Sequence, residues 1–237
     1  MHDLAVIAVD WSGARGSGPH SSIWITGYRG TTTIVDEGNW SRADAVAFVT
    51  EQEPPVVAGF DFSFGVPVWF ARALGCATID DVWACASAFE EAWLAPTPPF
   101  WRHKCVLPVE QQFRQCEERL RAQGSRPKSL FQLVGNGQVG AGSVRGMPLL
   151  ARMRSAGFAI WPFDTPSDRL VVEIYPSLLR RLFPQLRDPG PPTPDARDAR
   201  VSARAMQARA EEFAQLGEAI DPVEHLEGRV WLPATSP

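Results

Sequence analysis

Three apolar stretches of the chain each end in an acidic residue. They read "LAVIAVD" over residues 4–10, "VVAGFD" over residues 56–61 and "LVVE" over residues 170–173. Short, continuously apolar runs of this kind are typical of strands that are buried on both faces. A carboxylate at the end of such a strand is costly to bury unless a cation or hydrogen-bond donors compensate its charge. The pattern therefore predicts an α/β sheet whose strand ends gather acidic side chains at one edge, where such sheets commonly bind ligands.

The order of the predicted elements supports this fold class. Strands are expected over 4–10, 21–30 and 31–40, followed by a helix that Ser41 caps and by the strand that ends at Asp61. The pattern then becomes helical, and we interpret 66–127 as a helical insertion within a single domain of 1–237. The remainder predicts a short strand, a glycine-rich loop, a helix near 148–156, strands near 158–163 and 170–175, a helix over "SLLRRLF", and a final helix over 195–216.

The final predicted helix adds two more acids. In "PDARDARVSA", Asp195 and Asp198 are three residues apart, which places them on roughly one helix face. Carboxylates that gather at one place repel one another and raise one another's pKa, and a divalent cation relieves that repulsion. Mg²⁺ or Mn²⁺ bound by Asp10, Asp61, Glu173, Asp195 and Asp198 is therefore the cofactor that the pattern predicts. Two such ions about 4 Å apart can assist phosphodiester hydrolysis.

Each acid also has a purely structural interpretation. Asp195 is a candidate N-cap, and Asp198 then favours the helix dipole from the first turn. Asp10 and Asp61 are candidates for shaping turns, and Glu173 for pairing with an arginine.

Several segments in order resemble a known family. They are "AVDWSG", "GFDFSFGVP", "FQLVGNGQVGAGSVRGMPLLARM", "IWPFD", "VVEIYPSLL", "DARDARVSARAM" and "EGRVWLP". Together they resemble the domain of unknown function 429 family, described as predicted RNase H-like nucleases. The resemblance implies an RNase H-like fold with a mixed central sheet, nuclease activity, and a catalytic metal site of Asp10, Asp61, Glu173 and Asp198, supported by Asp195. Arg197 and Arg200, which flank Asp198, depart from the family pattern and are expected either to contact phosphate or to neutralise the acids.

Charge is distributed unevenly along the chain. Residues 100–210 carry 18 Lys and Arg against 9 Asp and Glu, whereas residues 1–99 carry 4 against 12. A basic segment favours an anionic partner such as nucleic acid. Within it, Trp101 beside Arg102 and Lys104 suits base stacking and phosphate contact, although a hydrophobic anchor for the loop is an equally simple interpretation of Trp101.

The sequence narrows the function classes further. No apolar run is long enough to span a membrane, and the N-terminal residues lack the basic start of a signal peptide, so a cytoplasmic location is expected. "GNGQVG" at 135–140 imitates a dinucleotide-binding loop, but the glycines and Pro148 that follow are expected to interrupt the helix which that motif needs.

The leading prediction is a Mg²⁺- or Mn²⁺-dependent nuclease acting on DNA or RNA. The alternative is a non-catalytic protein on the same fold that binds a nucleotide or a partner protein.

Overall fold

The computed structural model describes residues 3–13, 23–134, 139–186, 190–219 and 221–234. Most of the glycine-rich loop predicted at 135–140 and the loop after residue 13 lie outside these ranges. Among the described helices, none combines the length and the apolar character needed to cross a membrane.

A six-stranded mixed sheet forms the centre of the molecule. Its strands are β1 (Ala5–Asp10), β2 (Ile23–Arg29), β3 (Thr32–Trp40), β4 (Val56–Phe60), β5 (Ala159–Ile160) and β6 (Arg169–Glu173). They lie in the order β3-β2-β1-β4-β6-β5, in which β2 is antiparallel to β1 and β3 and the other neighbouring pairs are parallel. The predicted α/β class with a mixed central sheet is therefore confirmed. Because β1, β4 and β6 are parallel and in register, their carboxyl ends meet at one edge of the sheet.

Both faces of the central strands are covered. In β1, Ile7 and Val9 belong to the core cluster on one face, and Val6 and Ala8 belong to the cluster on the other. This arrangement explains why β4 and the part of β1 before Asp10 are apolar at successive positions rather than at alternate ones. The edge strand β3 is largely exposed and carries polar residues.

Helices cover the two faces of the sheet. They are α1 (Arg42–Thr50), α2 (Val68–Ala73), α3 (Ile79–Ala88), α4 (Glu90–Leu94), α5 (Gln115–Ala122), α6 (Val139–Ser155), α7 (Pro176–Leu182), α8 (Pro194–Ala208) and α9 (Glu224–Glu227). Ser41 caps α1 as predicted, because its side chain accepts a hydrogen bond from the amide of Asp44. The region between β4 and α6 is helical as expected, and its Phe70, Trp83 and Phe131 join the main core cluster.

The structure corrects the prediction that glycines and proline would interrupt the helix after the glycine-rich loop. Helix α6 runs from Val139 to Ser155 without a break at Pro148. Its glycines permit close packing: a Cβ atom at Gly146 would lie 2.6 Å from the ring of Phe62, and one at Gly140 would lie 2.3 Å from the carbonyl oxygen of Leu130. The glycines are therefore explained by the neighbours of the helix rather than by a turn.

Other element boundaries also differ from the predictions. The helix expected after Pro108 is divided into a short 3-10 segment at Val109–Gln111 and α5. The strand expected near 158–163 is only two residues long, and the short strand before the glycine-rich loop is reduced to an isolated bridge between Gln132 and Trp101. The helix predicted over 195–216 corresponds to α8, which ends at Ala208 and is followed by a 3-10 segment at Ala210–Gln215. It is not the final helix, because α9 comes after it.

Candidate active site

Two acids stand at the ends of adjacent parallel strands. Asp10 is the last residue of β1, and Asp61 directly follows β4, where its backbone N–H donates to the carbonyl of Val9 at 3.2 Å. Burial raises the pKa of Asp10 well above its usual range, and the charge of Asp61 adds to this shift. Burial likewise raises the pKa of Asp61 to about 8. Both carboxyl groups therefore hold protons more tightly than ordinary aspartates do.

Helix α8 brings two further acids to the same place. It packs across β1 and β2, and its closeness to the sheet is possible because β4 carries a glycine: a Cβ atom at Gly59 would lie 2.7 Å from the sulfur of Met206. The charge of Asp198 raises the pKa of both Asp10 and Asp61, and burial followed by the charge of Asp198 raises the pKa of Asp195. Asp195 is not the N-cap of the helix, because the side chain of Thr193 accepts the capping hydrogen bond from Ala196 at 3.0 Å.

Two arginines accompany Asp198. Arg180 of α7 forms an ion pair with one of its carboxylate oxygens, and the Nε atom of Arg197 lies 3.4 Å from the same oxygen. Arg180 opposes the upward shift in the pKa of Asp10 and of Asp61. Arg200, by contrast, pairs with Asp36 of β3 at 2.9 Å. Of the two arginines that flank Asp198 in the sequence, only Arg197 contacts it in the described residues.

Glu173 is placed differently from the four aspartates. Its side chain is buried, and Arg114 binds both carboxylate oxygens, at 2.8 Å from Nη1 to Oε2 and at 2.5 Å from Nη2 to Oε1. The backbone N–H of Phe64 also donates to Oε2, at 3.0 Å. The structure therefore shows the arginine pairing that was one of the two interpretations of this residue, and its carboxylate is not open to a metal ion in this arrangement.

Arg114 is the site-adjacent residue that sequence reasoning missed. It precedes α5 in the helical region, 59 residues before Glu173, and only 1% of its side chain is exposed. Its local sequence, "FRQCEE", offers no signal of a partner other than Glu117, three positions later. The pairing with Glu173 follows from the tertiary fold alone.

The donor set suits a hard divalent cation only in part. Carboxylate oxygens are the ligands that Mg²⁺ prefers, and one or two of them with water molecules are a common arrangement. Asp10 and Asp61 meet that description, and Asp198 can join them only by giving up Arg180. Within the part of the chain that the structure describes, no three His, Cys, Asp or Glu side chains are grouped so as to hold a metal ion.

A small pocket opens beside Asp61. It is lined by residues of the strand ends and of the helical region, among them Ser63, Lys128, Glu173 and Tyr175. The hydroxyl of Tyr175 donates to the carbonyl of Arg126 at 3.3 Å, which holds one wall in place. The lining of the pocket thus includes a carboxylate, a lysine and an aromatic ring.

The structure corrects the expectation that Trp101 offers a stacking surface. Its side chain is 8% exposed, and its ring packs beside Phe131 with the centroids 6.3 Å apart. Its backbone bonds to Phe131 and Leu133 at 2.9 Å, so it anchors the loop to the core. Lys104 is exposed and Arg102 is half-buried, and their contact with phosphate remains a prediction.

The structure therefore brings together Asp10, Asp61, Asp195 and Asp198, with Arg180 and Arg197 beside them, and places Glu173 next to them in a separate ion pair. Asp10 and Asp61 are the carboxylates best placed to meet a cation. Comparisons of the chain with protein-family models, with curated proteins and with solved structures find no match.

Proposed function

We propose that this protein is a Mg²⁺- or Mn²⁺-dependent nuclease with an RNase H-like fold that hydrolyses phosphodiester bonds. The observation that carries the proposal is the position of Asp10 and Asp61 at the ends of adjacent parallel strands, where burial and the charge of Asp198 raise the pKa of both. A cation bound beside these carboxylates favours their charged form and relieves their repulsion. The element order β-β-β-α-β, followed later by helix α8 with its two acids Asp195 and Asp198, supports the RNase H-like assignment.

In this proposal the residues of the chain have distinct tasks. Asp10 and Asp61 would hold the ion, Asp198 would be a further ligand, and Arg180, which pairs with Asp198 in this structure, would contact the phosphate of the substrate. Arg197, whose side chain is 43% exposed, is placed to contact the same phosphate. A bound Mg²⁺ supplies Lewis-acid stabilisation of the charge that develops on the phosphate. The substrate in this proposal is nucleic acid, either DNA or RNA.

A cleavage assay tests the proposal. Labelled single-stranded and double-stranded DNA and RNA are incubated with wild-type protein in EDTA, Mg²⁺ or Mn²⁺. We expect cleavage of at least one substrate in a divalent cation, none in EDTA, and none with Asp61→Asn. Asp168→Asn is the matched control, because Asp168 is an exposed aspartate just before β6, at the opposite edge of the sheet. A wild-type protein that cleaves none of the substrates in either cation contradicts the proposal.

A second candidate function is a non-catalytic binding protein on the same fold. It is favoured by the internal pairing of two acids: Glu173 with Arg114, and Asp198 with Arg180. Acids neutralised in this way need no cation. Nucleotide or nucleic-acid binding that is equally tight in EDTA and in Mn²⁺, without cleavage, supports this candidate over the nuclease.

A further inference from the structure

A buried arginine connects the helical region to the end of the central sheet. Arg114 uses all three of its side-chain nitrogens. Nε donates to Glu117 at 3.1 Å, Nη1 to Glu173 and to the backbone carbonyl of Glu227 at 2.8 and 2.9 Å, and Nη2 to Glu117 and Glu173 at 2.9 and 2.5 Å. The side chains of Arg114, Glu117 and Glu173 are at most 5% exposed. Breaking such a buried pair by removing one partner is strongly destabilising, because the other charge is left without compensation.

The same group of residues holds the turn that follows Asp61. Glu173 accepts the N–H of Phe64, and Trp83 donates through Nε1 to the carbonyl of Phe64 at 2.8 Å. Glu227 accepts the N–H of Val68 at 2.7 Å. The turn is also closely packed, since a Cβ atom at Gly65 would lie 2.4 Å from the carbonyl oxygen of Leu226. The turn is therefore held at several backbone positions within seven residues of Asp61.

Glu173 is poorly suited to bind a metal ion in this setting. Both of its oxygens already accept hydrogen bonds, and the guanidinium of Arg114 would lie beside any cation that it bound. If Glu173 bound a metal ion instead, Arg114 would keep only Glu117 and the carbonyl of Glu227 as partners. The positively charged guanidinium and the metal ion would then repel each other strongly, because they would lie close together in a buried environment.

We propose that Glu173 is a positioning residue and not a metal ligand, and that with Arg114 it fixes the turn that carries Asp61. The test of this inference by Mn²⁺ affinity rests on the proposed function, whereas the test by hydrogen exchange of the backbone amides does not. Glu173 acts by accepting the N–H of Phe64, three residues after Asp61, while Arg114 fixes the direction of the carboxylate. Arg114 thereby contributes to the geometry of the site without contacting the substrate.

Two substitutions of Glu173 separate the possible roles by Mn²⁺ affinity, measured by calorimetry. Gln keeps an oxygen that can accept the N–H of Phe64, whereas Ala does not. A positioning role predicts that Glu173→Gln stays within about threefold of the wild-type Kd and that Glu173→Ala weakens binding roughly tenfold. A ligand role predicts that both variants weaken binding as much as Asp61→Asn does. A purely structural role predicts that neither variant changes the Kd, and either of these last two results overturns the proposal.

The control is Glu224→Gln. Glu224 is another buried glutamate that pairs with arginines, Arg119 at 2.8 Å and Arg229 at 3.3 Å, but it does not bind the turn after Asp61. We expect this variant to lower the melting temperature while leaving the Kd for Mn²⁺ unchanged.

Hydrogen exchange in EDTA tests the backbone role without metal. We expect the amides of residues 62–66 to exchange at least tenfold faster in Glu173→Ala than in Glu224→Ala at equal global stability, because Ala removes the acceptor of the Phe64 N–H, and we expect exchange in Glu173→Gln to stay near wild type. Equal exchange at these amides contradicts the positioning role. If wild-type protein binds no Mn²⁺, the proposed function fails, and the exchange result still decides this inference. If Glu173→Ala does not fold, the Kd of Glu173→Gln separates positioning from ligation, and exchange in Glu173→Asp, whose shorter side chain withdraws the carboxylate from the Phe64 N–H, separates positioning from a structural role.

Discussion

The backbone N–H of Asp61 donates to the carbonyl of Val9, the residue before Asp10. This hydrogen bond continues the parallel pairing of β1 with β4 by one position and fixes the two acids at the same edge of the sheet. Their closeness is therefore set by backbone geometry, so that either carboxylate can be neutralised by substitution with little change in its surroundings. Asn substitutions at Asp10 and Asp61 therefore test the charge of each residue separately from its position.

Replacing Asp10 with Asn should raise the stability of the metal-free protein and remove its response to metal. Asn keeps the shape of the side chain and removes a charge that Asp61, Asp198 and Asp195 repel. At an effective dielectric near 20 the gain should be about 1 kcal/mol after relaxation and protonation. Melting curves of wild type, Asp10→Asn and Asp168→Asn in EDTA and in Mn²⁺ measure both effects. An Asp10→Asn variant that gains as much from Mn²⁺ as wild type would remove Asp10 from the metal site.

The stability of the metal-free protein should fall as the pH rises from about 4 to about 8. Burial, with the charges of Asp198 and Glu173, raises the pKa of Asp61 to about 8, against about 3.9 in an unfolded chain. Between these values the folded state binds more protons than the unfolded state, so increasing pH favours unfolding. Urea denaturation at pH 5 and at pH 8 in metal-free buffer measures the change. Asp61→Asn should flatten the dependence, whereas Asp168→Asn should retain it; an equal slope in the two variants would assign the effect to other groups.

Replacing Arg180 with Met should strengthen metal binding and weaken catalysis. Arg180 pairs with Asp198 and opposes the rise in the pKa of Asp10 and of Asp61, so its removal makes the site more negative. We expect the Kd for Mn²⁺ to fall roughly tenfold, as expected for the loss of one nearby positive charge. Cleavage should slow because the phosphate is deprived of a positively charged partner.

The neighbouring residue provides the control for this experiment. Arg181 donates to the hydroxyl of Ser125 at 2.8 Å and makes no contact with Asp198 among the described residues. Arg181→Met should leave both the Kd and the cleavage rate near wild type. Weaker Mn²⁺ binding in Arg180→Met would show that Arg180 supports the site in a way other than by its charge.

Substitutions at residues 101–104 should separate a structural residue, Trp101, from two residues that bind nucleic acid, Arg102 and Lys104. Trp101→Ala removes a buried aromatic side chain and should cost about 3–5 kcal/mol of stability. The double variant Arg102→Ala, Lys104→Ala should change stability little, but should weaken nucleic-acid binding and reduce the salt slope by about 0.9 for each phosphate that is no longer neutralised. Fluorescence anisotropy at salt concentrations from about 50 mM to about 200 mM measures the slope. An unchanged slope would place the binding surface elsewhere.

Replacing Gly146 with Ala should destabilise the packing of α6 against the turn beyond β4. The added Cβ would lie 2.6 Å from the ring of Phe62, which follows Asp61, so ring or helix must move. The expected cost is about 1–3 kcal/mol. Gly217→Ala is the control, because no atom lies within 4 Å of a Cβ at that position. Equal urea midpoints for the two variants would show that α6 shifts freely.

The features of this molecule that could be predicted are those that depend on residues adjacent in the sequence. The apolar runs that end at Asp10 and Asp61 identify two strands, their ends and the acids they carry, because burial of a strand is visible in its own sequence. The α6 glycines could not be interpreted from the sequence, since the atoms they approach lie on other segments: the ring of Phe62 beside Gly146 and the carbonyl of Leu130 beside Gly140.

The same limit applies to charge pairs. The sequence marks Glu173 as an acid that needs a partner, but the partner, Arg114, is 59 residues away and approaches it only through the folded helical region. Trp101 is a second example, because local charge suggests a surface role and only tertiary packing against Phe131 shows an anchor.

The segment near residue 230 completes the sheet beside Glu173. Val230 forms a parallel bridge to Glu173 on the side of β6 away from β4, and the N–H of Trp231 donates to the carbonyl of Glu173 at 2.8 Å. During synthesis the strands of the sheet leave the ribosome long before this segment does. A nascent chain that has not yet released residues 224–231 carries an unpaired strand edge at Glu173, which is the kind of surface that pairs with other chains. Residues 224–231 thus close the edge next to the acids, and a chain terminated before them would be prone to aggregation.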